Sequence, residues 1–250
     1  VSVHDVLLLL ALAGAGFVAS ALNVIAGGGS FLTVPLLIFL GLPATEANAT
    51  NRVGVLVQNI GAVWGFHRHR VLDWRWALRA SLPALGGAVF GTWLALRIGD
   101  REFRRVLATF MVVMTLWTLL DRRGRLAGAL GRLRRRNLVL GVAFAVAGVY
   151  AGFIQAGVGF VIVALVTVGG LDLVRGNAVK VLVILATTAL SLALFAWEGK
   201  VQWVEGGALA VGSLAGSLLG VRLTVLKGHA WVRGVVTAAI VVFAVKLWLG

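Results

Sequence analysis

Apolar residues occupy this chain in long blocks, neither confined to one face nor alternating. In the first half the blocks cover about residues 5–25, 31–41, 46–66, 76–97 and 103–120, and the pattern resumes after 136. A full block of about 20 residues, wound as a helix, crosses a hydrocarbon core of about 30 Å. The piece at 31–41 is too short to span alone. The period-two alternation of a membrane β-barrel is absent. The pattern predicts an all-α polytopic membrane protein forming one compact unit. The first apolar run lacks a basic leader and a cleavage pattern and reads as a mature membrane element.

Between the first two blocks stands Asn23-Val-Ile-Ala-Gly27-Gly28-Gly29-Ser30, and the next helix carries Asn48-Ala-Thr50-Asn51-Arg52. Three glycines inside an apolar sequence predict a broken helix. In lipid such a break requires protein, water or a ligand to satisfy the freed backbone groups. A second break is predicted at Gln155-Ala-Gly157-Val-Gly159. The two are related: a gapless shift of 129 residues places Gly28 on Gly157, Phe31 on Phe160, Gly41 on Gly170, Asn48-Ala49 on Asn177-Ala178, Trp74 on Trp203, and Gly87 and Gly91 on Gly216 and Gly220. A constant register that pairs Asn and Trp indicates duplication. Duplicated halves with interruptions at matching positions point to a secondary-transporter site. Gly86-Gly87 with Gly91, and Gly212, Gly216 and Gly220, are read instead as glycines that let helices pack closely.

Composition sharpens this picture. The chain is 60 % hydrophobic and 13 % charged, with a net charge of +14. The excess is local: Arg122, Arg123, Arg125, Arg132, Arg134, Arg135 and Arg136 share one linker. That placement marks a cytoplasmic loop facing anionic lipid, and no nucleic-acid-binding module is visible. With this linker inside, the loops near 67–75, 171–175 and 222–230 lie inside too, and those near 42–45 and 198–203 outside. Three spans plus a re-entrant piece per half then make the halves inverted. If the first block crosses fully, they become parallel. Arg97, Arg101, Arg104 and Arg105 on the outer side run against the rule. The organisation expected is a first transmembrane repeat at 1–120, an Arg-rich linker at 121–136 and a second repeat at 137–250.

Candidate chemistry is sparse. Cysteine is absent, which excludes disulfides, thiolate metal sites and thiol catalysis. The nine carboxylates all fall near predicted helix ends, so no membrane-embedded proton relay or acid–base pair is legible. The four histidines lack metal-ligand spacing. No enzyme, metal or cofactor is indicated. Two cations do interrupt apolar helices: Arg52, beside Thr50 and Asn51, and Lys180, beside Asn177. Such cations face a cavity or snorkel to the interface from a helix end. Together with helix N-termini at the breaks they suit an anion. Asn23, Ser30, Asn48, Gln58, Asn59 and Gln155 add polar groups in the same region.

These residues resemble the TauE/SafE family of sulfite and sulfonate transport proteins over about residues 10–249. The glycine break leading to Pro35, Gly41-Leu-Pro43 and Thr50-Asn51-Arg52 carry the likeness in the first half. Gly148-Val-Tyr150-Ala-Gly152, Gly157-Val-Gly159, Lys180, Phe195 and Gly199-Lys200-Val201-Gln-Trp203 carry it in the second. Arg52 stands where the family commonly has lysine, and Gln155-Ala156 replaces a glycine-proline type of break. The resemblance implies a multi-pass protein of the bacterial inner membrane that moves small sulfur oxyanions or organosulfonates.

The sequence thus predicts a bundle of two homologous, inverted halves with broken, re-entrant helices, acting as a secondary transporter by alternating access. The substrate-binding set expected is Asn23, Gly27, Gly28, Gly29, Ser30, Asn48, Thr50, Asn51, Arg52, Gln155, Gly157, Gly159, Asn177 and Lys180. The anion is expected between the two breaks, neutralised by Arg52 and Lys180. An anion channel and a non-transporting membrane scaffold are the alternatives. Lipid and a small anion are the partners expected, nucleic acid is not, and a homo-oligomer is compatible with the pattern.

Overall fold

The computed structural model describes residues 3–25, 27–120 and 136–249. The arginine linker expected at 121–136 lies outside them, apart from Arg136. The described residues form helices α1 (Val3–Ile25), α2 (Ser30–Phe39), α3 (Ala44–Arg68), α4 (Trp74–Arg97), α5 (Asp100–Leu120), α6 (Arg136–Phe153), α7 (Val158–Val168), α8 (Leu173–Trp197) and α9 (Trp203–Leu249), with no strand among them. Asp5–Ile25, Leu173–Trp197 and Trp203–Lys227 are long and apolar enough to cross a membrane by length and composition. Helix α3 is equally long, but it carries Asn48, Thr50, Asn51, Arg52, Gln58 and Asn59, all buried. Its polar side faces protein, as a spanning helix requires of such residues.

Helix ends repeat under the 129-residue shift. Gly41 (φ +98°) and Gly170 (φ +100°) end α2 and α7 in the left-handed region. Each is closed by the same pair of bonds, Gly41 N–H to Ile38 O with Leu42 N–H to Leu37 O, and Gly170 N–H to Thr167 O with Leu171 N–H to Val166 O. This is the Schellman termination that glycine favours. Arg70 (φ +57°) and Gly199 (φ +65°) end α3 and α8 in the same way. The equivalence stops at the turn between α4 and α5. There Ile98 is extended, and Asp100 starts a new helix with its carboxylate accepting from Thr45 N–H at 3.1 Å. The matching position is His229, which supplies no such acid. Helix α9 runs through as 47 residues, about 70 Å at 1.5 Å per residue. The loop expected near 222–230 is therefore helix.

Glycines set the packing. A Cβ placed on Gly212, Gly216 or Gly220 would enter the α1 backbone at Ala13, Phe17 or Ala21, and one on Gly16 would enter Leu209. Helices α1 and α9 therefore lie in backbone contact and run parallel. Helices α4 and α6 do the same through Gly87 on Ala145, Gly91 on Val149, Gly148 on Ala84 and Gly152 on Ala88. Gly86, expected to share this role, has open space around it. Helix α3 runs parallel to α9, with Gly54 against Leu209 and Gly65 against Val221. It runs antiparallel to α8, since Arg52 meets Phe195 while Ala62 and Phe66 share a core with Ala178 and Val181.

The ends segregate accordingly. Leu72 and Leu171 pack on one cluster, whereas Gln202 donates to Glu46 at the other end. Asp73 and Asp172 are N-caps, accepting from Trp76 N–H at 3.0 Å and from Val174 and Arg175 N–H at 2.9 and 3.0 Å. Trp64 and Trp93 lie beneath the guanidinium groups of Arg68 and Arg97.

Candidate functional site

The two breaks meet. A Cβ on Gly27 (φ +103°) would lie 2.7 Å from the carbonyl carbon of Gly159, and one on Gly159 would lie 2.6 Å from Gly27 Cα. Gly28 faces the Phe160 ring and Gly157 (φ +79°) the Phe31 ring. Gly27 and Gly157 combine a left-handed backbone with close approach. The contact leaves no room for an anion between Gly27 and Gly159. The N–H groups expected to be free at the helix starts are also engaged: Phe31 donates to Gly28 O, Leu32 to Gly29 O and Phe160 to Gly157 O, at 3.0–3.1 Å.

What the breaks do expose is the carbonyl end of each preceding helix, and there the cations sit. Arg52 is 0 % exposed. Its Nη2 donates to Ala151 O at 3.1 Å and Gly152 O at 2.6 Å. One turn away, Asn48 Nδ2 donates to Phe153 O at 3.0 Å. Lys180, 1 % exposed, repeats this on the other half. Its Nζ donates to Asn23 O and Val24 O, both at 2.9 Å, and to Asn177 Oδ1 at 2.8 Å. Asn177 Nδ2 reaches Ile25 O at 3.3 Å. Each half thus sends an Asn and a cation to the C-terminus of the other half's first helix. Orphan carbonyls and the negative end of the helix dipole both favour this. Neither cation snorkels.

The Arg52 end is the more polar of the two. The Phe195 ring lies 5.0 Å below the guanidinium. Thr92 donates to Gly152 O at 3.2 Å and approaches Ser191 Oγ at 2.8 Å. Gln155, held in the left-handed region at φ +64°, donates through Nε2 to Thr188 Oγ1. Asn48 Oδ1, Arg52 Nε and Nη1, and Gln155 Oε1 are buried without a partner. Thr92, Thr188 and Ser191 were not singled out in the sequence, where isolated hydroxyls on apolar helices carry no signal of a shared site.

The remaining expected residues fall elsewhere. Thr50 Oγ1 accepts from Gln202 N–H at 3.0 Å and fixes the α8–α9 turn. Asn51 accepts from Thr33 at 2.5 Å and donates to Ser30 at 3.3 Å. Gly29, Ser30 and Asn51 line a small cavity with Ser20, Gln58 and Ser213. The fourteen residues expected as one site therefore divide among the break contact, the two helix-end clamps, this cavity and the Thr50 turn.

A family profile described as "Sulfite exporter TauE/SafE" matches residues 12–247. The chain belongs to the TauE/SafE family. It is 29 % identical over 229 residues to a "Probable membrane transporter protein" of Haemophilus influenzae, covering 88 % of this chain and 87 % of the relative. It is 29 % identical over 239 residues to "Probable membrane transporter protein YfcA" of Escherichia coli, covering 93 % and 85 %. A Sinorhizobium relative, "Probable membrane transporter protein ORF9", is 23 % identical over 239 residues, with 93 % and 89 % covered. No solved structure matches the chain. The chain is thus a membrane protein of a transporter family, as its apolar helices require.

Proposed function

We propose that the protein is a secondary transporter of a small anion, a sulfite or an organosulfonate, working by alternating access in the bacterial inner membrane. The observation that carries the anion is the charge balance of the interior. Among the described residues Arg52 and Lys180 are buried and no carboxylate is. Buried charge without a counter-ion is unfavourable, and a transported anion supplies the counter-ion. Family membership supports transport and supplies the sulfur oxyanion class.

Antiparallel α3 and α8, equivalent under the duplication, support the inverted reading of the halves. In an inverted pair the same contacts form in either orientation, so one half rocking against the other exchanges the open side. The Gly27–Gly159 contact is the closed centre of that movement. The substrate then binds beside the breaks, at the clamped helix ends, and not between them.

Flux into proteoliposomes tests the proposal. Uptake of sulfite or ethanesulfonate that saturates with concentration, and is accelerated by the same anion on the far side, is expected. Flux that rises linearly without saturation favours a channel, and absence of anion flux favours a scaffold.

A further inference from the structure

The two helix-end clamps share an equivalent asparagine, Asn48 and Asn177, but Lys180 aligns with Asn51, one residue short of Arg52, and their chemistry differs. Lys180 has three N–H donors, and all three are used, on Asn23 O, Val24 O and Asn177 Oδ1. Arg52 has five. Nη2 is spent on Ala151 O and Gly152 O, while Nε and Nη1, three N–H groups, have no partner. The surroundings differ in the same sense. Gln155, Thr188, Ser191 and Thr92 at the Arg52 end correspond under the shift to Ala26, Asn59, Ala62 and Val221. Of these only Asn59 is polar: its Nδ2 turns back on its own helix at Val55 O, and what it leaves without a partner is an acceptor, Oδ1, not a donor. Val24, Ala62, Phe66, Val181 and Val221 form an apolar cluster at the Lys180 side.

We infer that the anion of the proposed function is held at one clamp only, by the free donors of Arg52 at the end of α6, and that the ligand is a monoanion. Lys180 is a positioning residue that caps α1. The inference rests on the transporter reading above and makes it one-sided. An unpartnered buried N–H is unfavourable by about 1–3 kcal/mol, so three of them on one cation mark a seat for acceptor oxygens. The Lys180 charge is set against the carbonyl end of α1 with every N–H engaged, so Arg52 alone is left to balance one negative charge. A second charge on the ligand would stay buried and unpaired. Sulfonates and hydrogen sulfite meet this condition; sulfate does not.

The test uses the full-length protein in detergent, with ethanesulfonate and sulfate as probes at matched ionic strength. Calorimetry gives affinity, and melting temperature gives stability. Ethanesulfonate is expected to bind the wild type and raise its melting temperature, with sulfate at least about tenfold weaker. Arg52→Gln is expected to weaken ethanesulfonate about tenfold or more. Lys180→Gln, which still offers two N–H groups to the α1 carbonyls, is expected to lower the basal melting temperature and leave affinity within about threefold. Equal loss of affinity in both variants, unchanged affinity in Arg52→Gln, or sulfate binding as tightly as ethanesulfonate overturns the one-sided seat while the anion reading survives. If Lys180→Gln does not fold, the Arg52→Gln and sulfate comparisons decide. A wild type that binds no anion overturns the transporter reading itself.

Discussion

Arg52 Nη2 holds Gly152 O at 2.6 Å, so a cation from the first half closes the last helical turn before the break in the second. The pair joins α3 to α6 across the duplication. Its counterpart, Lys180 on Asn23 O and Val24 O, joins α8 to α1. Lys180→Met should leave two buried carbonyls unpaired and lower stability by about 2–5 kcal/mol. Thermal unfolding in detergent measures it, and a variant as stable as the wild type removes the capping role.

Close contact of the breaks makes a second prediction. Gly27→Ala forces a Cβ into the Gly159 backbone from a left-handed residue, and should destabilise by about 2 kcal/mol or more. Gly14→Ala, in open space on α1, should be neutral or slightly stabilising, because alanine favours helix by about 1 kcal/mol. Equal melting temperatures for the two variants would contradict the contact.

Arg70 offers a gain of stability. It occupies the left-handed position that Gly199 fills in the second half, and it is exposed. Arg70→Gly should stabilise by about 1 kcal/mol through relief of backbone strain. A lower melting temperature would show that the arginine side chain outweighs the strain.

The cysteine-free chain permits a direct test of inversion. Single cysteines at His69 and Arg175 should react with an impermeant thiol reagent from one side of the membrane, and one at Lys200 from the other. Labelling of all three from one side would exclude the inverted arrangement.

The helical membrane class was legible in the sequence because the bilayer imposes it: apolar blocks of that length leave the backbone no other way to pair its hydrogen bonds. Both breaks were legible through their glycines, since a left-handed residue or a backbone contact tolerates little else. The 129-residue register read from glycine, asparagine and tryptophan positions reappears in the ends of α2 and α7. Arg52 and Lys180 stood out as charges inside apolar helices. Their roles did not, because a sequence does not tell which acceptor a buried cation meets. The loop expected near 222–230 was inferred from charge, and the helix instead continues where no acidic residue starts a new one.

Only the tertiary structure decided that the breaks touch and leave no space between them. It alone brought Thr92, Thr188 and Ser191, distant in sequence and individually ordinary, to the end of α6. It also divided two buried cations, one with every donor spent and one with three N–H groups left. That difference lies in carbonyls and hydroxyls contributed by other helices. Hydropathy determines that the chain crosses a membrane and glycine where its helices break; packing determines which buried charge remains open to a ligand.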